Sequence, residues 1–202
     1  MTDKEYIQKL EQENATLRRE VRLVKLRRQV TPHFLFNSLS VSMSLITKDS
    51  KMAMKFLRHV AAMYRYLLSF GNEYHVPIEQ ELKMLHQYYE LMSIRHVGSI
   101  VLEESPDVQR LKGHPLPPLA MQGLLENAIK HNAHSPDHPL KIMLTVEEGY
   151  LCVRNNLSPL VSPASSTKMG LAYMNDTMKL MFDREIKIEK DDASFTVKLP
   201  LI

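Results

Sequence analysis

The sequence predicts an α+β chain, helical in front and sheet-containing behind, and three observations carry that expectation. Up to about residue 95 the apolar residues recur every three or four positions, the period of a helix; from Ser99 onward they alternate, the period of a strand. Gly71, Pro77, Gly98, Pro106 and Gly113 punctuate the joints between these runs. Helices and antiparallel strands in the order found after Ser99 suggest a two-layer α/β sandwich. No internal repeat is visible.

Composition narrows the class. At 202 residues with 44% hydrophobic content, the chain can hold one large or two small globular domains. A net charge of +3, with the two signs well mixed, is too mild to argue for direct nucleic-acid binding. The single cysteine, Cys152, excludes an intrachain disulfide and suits a reducing compartment. No stretch reaches the roughly 20 apolar residues of a membrane span, and Met1 is followed at once by charged residues in place of a signal peptide.

Taken in order, Ile7, Leu10, Asn14, Leu17, Val21 and Val24 keep the 3-4 spacing of a parallel coiled coil over residues 1–28, and hence of a homodimer. Asn14 falls at an a position, where a buried amide pair fixes two strands in register; Glu13 would face Arg18 of the other strand, and Glu20 would face Lys25. A helical domain over residues 29–97 follows. Its first helix, about Pro32 to Thr47, opens with Thr31 as N-cap and Pro32 as first residue. His33, Asn37, Ser40 and Ser44 fall on one polar strip, with Phe36, Leu39, Met43 and Ile46 on one apolar side and Phe34, Val41 and Leu45 on another. The expectation is a helix buried on two sides and open along the histidine. Asp49 or Ser50 then caps a second helix ending near Phe70, with Met52, Phe56, Val60, Met63 and Leu67 as its buried stripe, and Pro77 opens a third from Ile78 to Arg95. Two hairpins of the first two helices, one from each copy, would make a four-helix bundle.

The domain boundary is expected near residue 97, with residues 98–202 forming the sandwich. Its expected elements are a strand over residues 100–104, a helix from Pro118 to His131, strands over residues 140–146 and 150–154 turned at Glu148-Gly149, a loop over residues 157–167, a helix from Lys168 to Phe182, and a closing hairpin turned at Asp191-Asp192.

Two sets of side chains could carry chemistry. A neutral imidazole is a nucleophile, and the positive end of a helix dipole favours the neutral form of His33; Asn37, one turn on, could hold one ring nitrogen and leave the other to react. The alternative is a helix-start histidine that only caps or solvates. In the later helix, Glu126 and Lys130 lie one turn apart on one face, as do Asn127 and His131 on the next. An amide oxygen and a lysine so placed suit a magnesium triphosphate, because Mg²⁺ keeps most of its waters and needs few protein ligands. The alternative is a solvated surface. His131, His134 and His138 lie close enough to raise the idea of zinc, but the loop holding the last two argues against it.

The runs QVTPHFLFNSLSVSMSLI and PPLAMQGLLENAIKHN, about 90 residues apart, resemble the phospho-acceptor segment and the ATP-site N box of the LytS-type sensor histidine kinase family. The resemblance extends to ELKMLHQYYELMSIRHVGSI and KMGLAYMNDTMKLMF and so covers about residues 25 to 202. It implies a helical dimerisation and phospho-acceptor bundle ahead of an ATP-binding domain of the GHKL type. The expected activity is ATP-dependent protein-histidine kinase, with His33 as acceptor, ATP and Mg²⁺ as cofactors, and a response-regulator receiver domain as partner. By the same resemblance Glu126 would help activate the acceptor, Asn127 would be the Mg²⁺ ligand, and Lys130, His131, Asn155 and Gly170 would line the nucleotide. Family members are usually membrane-anchored, so the expected location is cytoplasmic, either as a soluble protein or as the inner part of a membrane sensor. Two features depart from the family. Asn155-Asn156-Leu157 stands where an Asp-x-Gly box is expected, and the second glycine box is reduced to Met169-Gly170-Leu171, with Tyr173 and Thr177 where the family commonly shows Asn and Arg. Loss of the carboxylate would weaken nucleotide binding roughly ten- to hundredfold. These departures keep a second reading open, a degenerate kinase homologue acting as a dimeric scaffold.

Overall fold

The computed structural model describes residues 31–70, 73, 75–158 and 169–202. The expected coiled coil, with Ile7, Leu10, Asn14, Leu17, Val21 and Val24, lies outside these residues, as does most of the expected loop over residues 157–167. By internal contacts the chain divides between Val41 and Ser42.

The first helix, α1, runs Thr31–Ile46. A short turn follows, in which the amides of Lys48 and Asp49 both donate to the Leu45 carbonyl. Asp49 is the cap of α2 (Ser50–Phe70): its Oδ1 accepts from the Met52 amide at 3.0 Å. The buried stripe of α2 is Ala53, Phe56, Val60, Met63 and Tyr66. Met52 is 36% exposed and Leu67 only half-buried, so the expected stripe is correct in its middle and displaced at both ends. What turns the helix is α3 (Ile78–Arg95), which lies along that face and engages it through Lys55 with Glu90 at 2.7 Å, His59 with Gln87 at 2.8 Å, and Tyr66 with Glu81.

Helix α3 begins and ends where the sequence expects, but its packing is wider than that of a bundle helix. Ile78, Glu81, Leu82, Met84, Leu85, Tyr88, Leu91 and Met92 are all buried, because α3 packs against α2 on one side and α4 (Ala120–His131) on the other. The boundary expected near residue 97 therefore falls inside one contiguous unit, residues 42–202. A two-stranded ribbon, β1 (Val76–Pro77) against β3 (Pro115–Leu116), fastens the start of α3 to the loop ahead of α4, and the Ile78 amide continues it by donating to the His114 carbonyl at 2.8 Å.

The main sheet has the order β2-β4-β5-β7-β6, formed by Ile100–Glu104, Leu140–Glu147, Tyr150–Asn156, Ser194–Pro200 and Lys187–Lys190. Strand β2 pairs parallel with β4, Ile100 opposite Leu140, and the crossover between them carries a short 3-10 turn (Pro106–Leu111) and α4. The other pairings are antiparallel. Glu148 and Gly149, at φ +49 and +81, form the tight hairpin turn between β4 and β5 that twisted strands favour. Leu140, Ile142, Leu144, Leu151, Val153, Val197 and Leu199 are buried, and the alternation along β4 and β5 directs one face of the sheet to the core. Helix α4 packs on β4, and α5 (Met169–Phe182) packs on α4.

Candidate functional site

The site is built from α4, and α4 is held by its N-terminus. Leu119, at the cap position, has φ +66, a left-handed conformation that costs a non-glycine residue roughly 1 kcal/mol, and no side chain within its own loop caps the helix. The cap comes from α3. The Glu81 carboxylate, fully buried, accepts from the Leu119 amide through Oε1 at 2.8 Å and from the Met121 amide through Oε2 at 2.9 Å, and the Tyr66 hydroxyl of α2 donates to Oε1. Burial pushes the Glu81 carboxyl up from its ordinary range, and the hydrogen bonds from Tyr66 and from the Met121, Leu119 and Ala120 amides pull the other way. The Tyr66 hydroxyl is pushed up as well, by burial and then by Glu81, so it stays protonated and able to donate.

Along α4, Gln122 Nε2 donates to Glu126 Oε2 at 2.9 Å, and the Gln122 side chain also hydrogen-bonds the buried Tyr88 hydroxyl of α3. Burial, and next the Glu126 carboxylate, push that hydroxyl up. Glu126 is thus an exposed carboxylate leaning toward α3, and Asn127 beside it is half-buried. Lys130 is exposed and His131 half-buried, one turn beyond Glu126 and Asn127 respectively, so the helix brings these four together as expected. The set fits a magnesium-bound triphosphate. Asn127 offers one amide oxygen and Lys130 an ammonium group, which is all a Mg²⁺ that keeps waters and phosphate oxygens requires.

The helix then stops at Asn132. This residue is buried, donates through Nδ2 to the Ala128 carbonyl at 2.9 Å, and accepts the Ser158 amide through Oδ1 at 2.9 Å, fastening the end of β5 to the end of α4. Its own carbonyl is 3.0 Å from His134 Nδ1, and His134 Nε2 is 3.0 Å from His96 Nδ1. Since the carbonyl can only accept, the assigned tautomers are Nδ1–H on both rings, with His96 donating to His134. Burial, then His134 and Arg95, hold His96 below the usual imidazole range. Among the described residues no three His, Cys, Asp or Glu side chains group as a metal site, and the ring nitrogens of His134 are engaged as above.

Asn155 is buried and shares its face of β5 with Leu151 and Val153, directed to the helical layer. Its Nδ2 donates to the Asn156 carbonyl at 2.7 Å. The next residue faces the other way: Asn156 accepts the Lys141 amide at 2.8 Å and donates to the Pro139 carbonyl at 3.2 Å, closing the end of the sheet beside β4. Leu157, where the family has glycine, is not among the positive-φ residues, so the backbone here does not require glycine. Gly170 lies in the first turn of α5. Thr177 is buried further along that helix, and its Oγ1 has no hydrogen-bond partner among the described residues.

On α1, Asn37, Ser40 and Ser44 are exposed, in line with the expected open strip, and the Ser40 hydroxyl donates to the Phe36 carbonyl at 3.0 Å. His33 lies in the first turn of this helix. In the single chain Phe36, Leu39, Met43 and Ile46 are 66, 45, 68 and 56% exposed, while Val41 and Leu45 are half-buried. Among the described residues none buries the first stripe.

Sequence reasoning missed Glu81, Tyr66, Gln122 and Asn132. For Glu81 a signal was present, since it occupies the stripe of Ile78, Leu85, Tyr88 and Met92, where a charge must have buried partners.

Residues 21–100 match the histidine kinase family model. The chain is 33% identical over 144 residues, 71% of its length, to the sensor protein kinase HptS of Staphylococcus aureus strain USA300, and equally to that of strain NCTC 8325 / PS 47. The matched stretch is 26% of HptS, so the chain spans about a quarter of the length of these curated relatives. Among solved structures it is similar to the Acinetobacter baumannii histidine kinase AdeS (13% identity, 84% of this chain and 98% of that one, TM-score 0.39). It is also similar to the catalytic domain of histidine kinase ThkA (14%, 62% and 94%, TM-score 0.42). These TM-scores lie below the level from which a shared fold follows.

Proposed function

We propose that this chain, a relative of the sensor histidine kinases, is the kinase core of a two-component system, a homodimer that takes the γ-phosphoryl group of Mg-ATP onto His33 and passes it to an aspartate of a response regulator. The observation that carries the reading is the family match over residues 21–100, a stretch that contains His33. The face of α4 with Glu126, Asn127 and Lys130 supports the nucleotide half of it.

In this reading a ring nitrogen of His33 attacks the γ-phosphorus, the N–P bond forms as the bond to the β-γ bridging oxygen breaks, ADP leaves, and the ring proton is given up to a nearby base. Asn37 would hold the non-attacking ring nitrogen, whose proton Glu126 would orient or receive, Lys130 would neutralise phosphate charge, and Asn127 would ligate Mg²⁺, which supplies charge neutralisation on the phosphates. Asn155 would accept from the adenine amino group through its Oδ1, its Nδ2 being engaged by Asn156. His131 and Gly170 would border the same nucleotide.

Incubation with radiolabelled ATP and Mg²⁺ tests this. The expected product is a labelled protein whose phosphate is labile to acid and stable to base; an unlabelled protein at millimolar ATP rejects the kinase reading. The altered box Asn155-Asn156-Leu157 favours one second reading, a scaffold with little turnover. The Asn155→Asp variant separates the two. A kinase weakened at adenine should gain about ten- to hundredfold in ATP affinity and label faster, whereas a scaffold should gain no labelling.

A further inference from the structure

We propose that Glu81 is a positioning residue, and that Tyr66 and Glu81 together form a relay through which helix α2 sets the placement of the N-box helix α4. The inference rests on the function proposed above for its consequence, but its geometry stands alone. Three elements meet at one buried carboxylate: α2 through the Tyr66 hydroxyl, α3 through Glu81 itself, and the first turn of α4 through the amides of Leu119 and Met121. Among the described residues Glu81 is the only charged side chain in the buried set, and each of its oxygens is engaged.

The chemistry explains why the arrangement transmits position. A buried carboxylate tolerates no lost donor cheaply, so a movement of Tyr66 along α2 must be followed by Glu81 or leave it under-bonded. Glu81 in turn holds the Leu119 amide while that residue occupies its left-handed conformation, and Leu119 fixes the angle at which α4 starts. Glu126 and Asn127 lie about two turns further on and move with that angle. Within residues 42–202 the relay therefore couples α2 to the proposed nucleotide face without the nucleotide touching Glu81.

Amide hydrogen exchange on the full chain tests the relay locally. In Tyr66→Phe, exchange at Leu119 and Met121 should quicken about tenfold, the loss of one hydrogen bond to a charged group, while Leu144 and Val153 in the sheet keep their protection. Glu81→Gln should do the same more strongly, and the double variant Tyr66→Phe/Glu81→Gln should add little beyond it, since both act at one point. Unchanged exchange at Leu119 and Met121, or an equal rise across the sheet, overturns the proposal; the second result would make Glu81 a general stability residue. Binding of trinitrophenyl-ATP, used as the nucleotide probe, should weaken about three- to tenfold in the same variants. A wild-type chain that does not bind the probe would reject the kinase reading and leave the exchange result to decide the relay.

Discussion

Phe56 and Phe36 occupy neighbouring helices and opposite circumstances. Phe56 on α2 is completely buried beneath α3, whereas Phe36 on α1 is 66% exposed with Leu39, Met43 and Ile46 exposed beside it. One region of the molecule closes its apolar faces with its own chain, and even its buried charge, Glu81, finds donors there. The other presents a helical stripe that stays exposed among the described residues. An exposed apolar stripe of this kind suits an association surface, and a second copy of α1 is the occupant that the proposed homodimer supplies. Stability should therefore reside in residues 42–202, and assembly on α1.

The largest effect should come from the closed region. Phe56→Ala should cost about 3–5 kcal/mol in chemical denaturation, by lost burial and a residual cavity; a loss below about 1 kcal/mol would show that α2 and α3 are not packed as described. Phe36→Glu should change the stability of the single chain by under about 0.5 kcal/mol while weakening dimerisation at least tenfold in sedimentation equilibrium. An unaltered dimer would move the association surface off α1 and blunt the contrast.

The smallest effect belongs to the exposed rim of the closed region, where His86 on α3 pairs with Glu104 on β2. The hydrogen bond to Glu104 raises His86, and the same bond holds Glu104 below the ordinary carboxylate range. A raised histidine stabilises fully below its unfolded value and loses that contribution as pH rises through its folded one; a lowered carboxylate stabilises above its unfolded value and loses that as pH falls. The pair is therefore whole between the unfolded values of 4.5 and 6.5. Because the His86 side chain is 46% exposed, solvent screens the pair, and His86→Ala should cost less than about 1 kcal/mol at pH 6 and almost nothing at pH 9. A cost that grows with alkalinity would contradict the assignment.

Much of this was legible in the sequence where the information is local. The ends of α3 followed from Pro77 and Gly98, the strands from alternation, and the hairpin at Glu148-Gly149 from its turn residues. Helix α4 starts two residues later than its sequence suggests, since nothing local announces that Leu119 turns left-handed under a carboxylate from another helix. What stayed hidden was non-local. The parallel pairing of β2 with β4, the packing of α3 on α4 and the Glu81 cap join residues roughly 40 positions apart, and no spacing rule encodes such partners. Periodicity marked Phe36, Leu39, Met43 and Ile46 as one apolar stripe, but a period does not say whether the cover is the same chain or another. Of the candidate site, the four α4 residues were readable as a face, while the side chains that aim the face were not.

The most direct test of the central claim is to map the phosphoryl group itself. After reaction with Mg-ATP under conditions that spare phosphohistidine, fragmentation of the tryptic peptide covering residues 29–48 should place one phosphoryl mass on His33, and the His33→Gln protein should carry none. A phosphoryl group found on another residue, or retained in His33→Gln, would contradict the account.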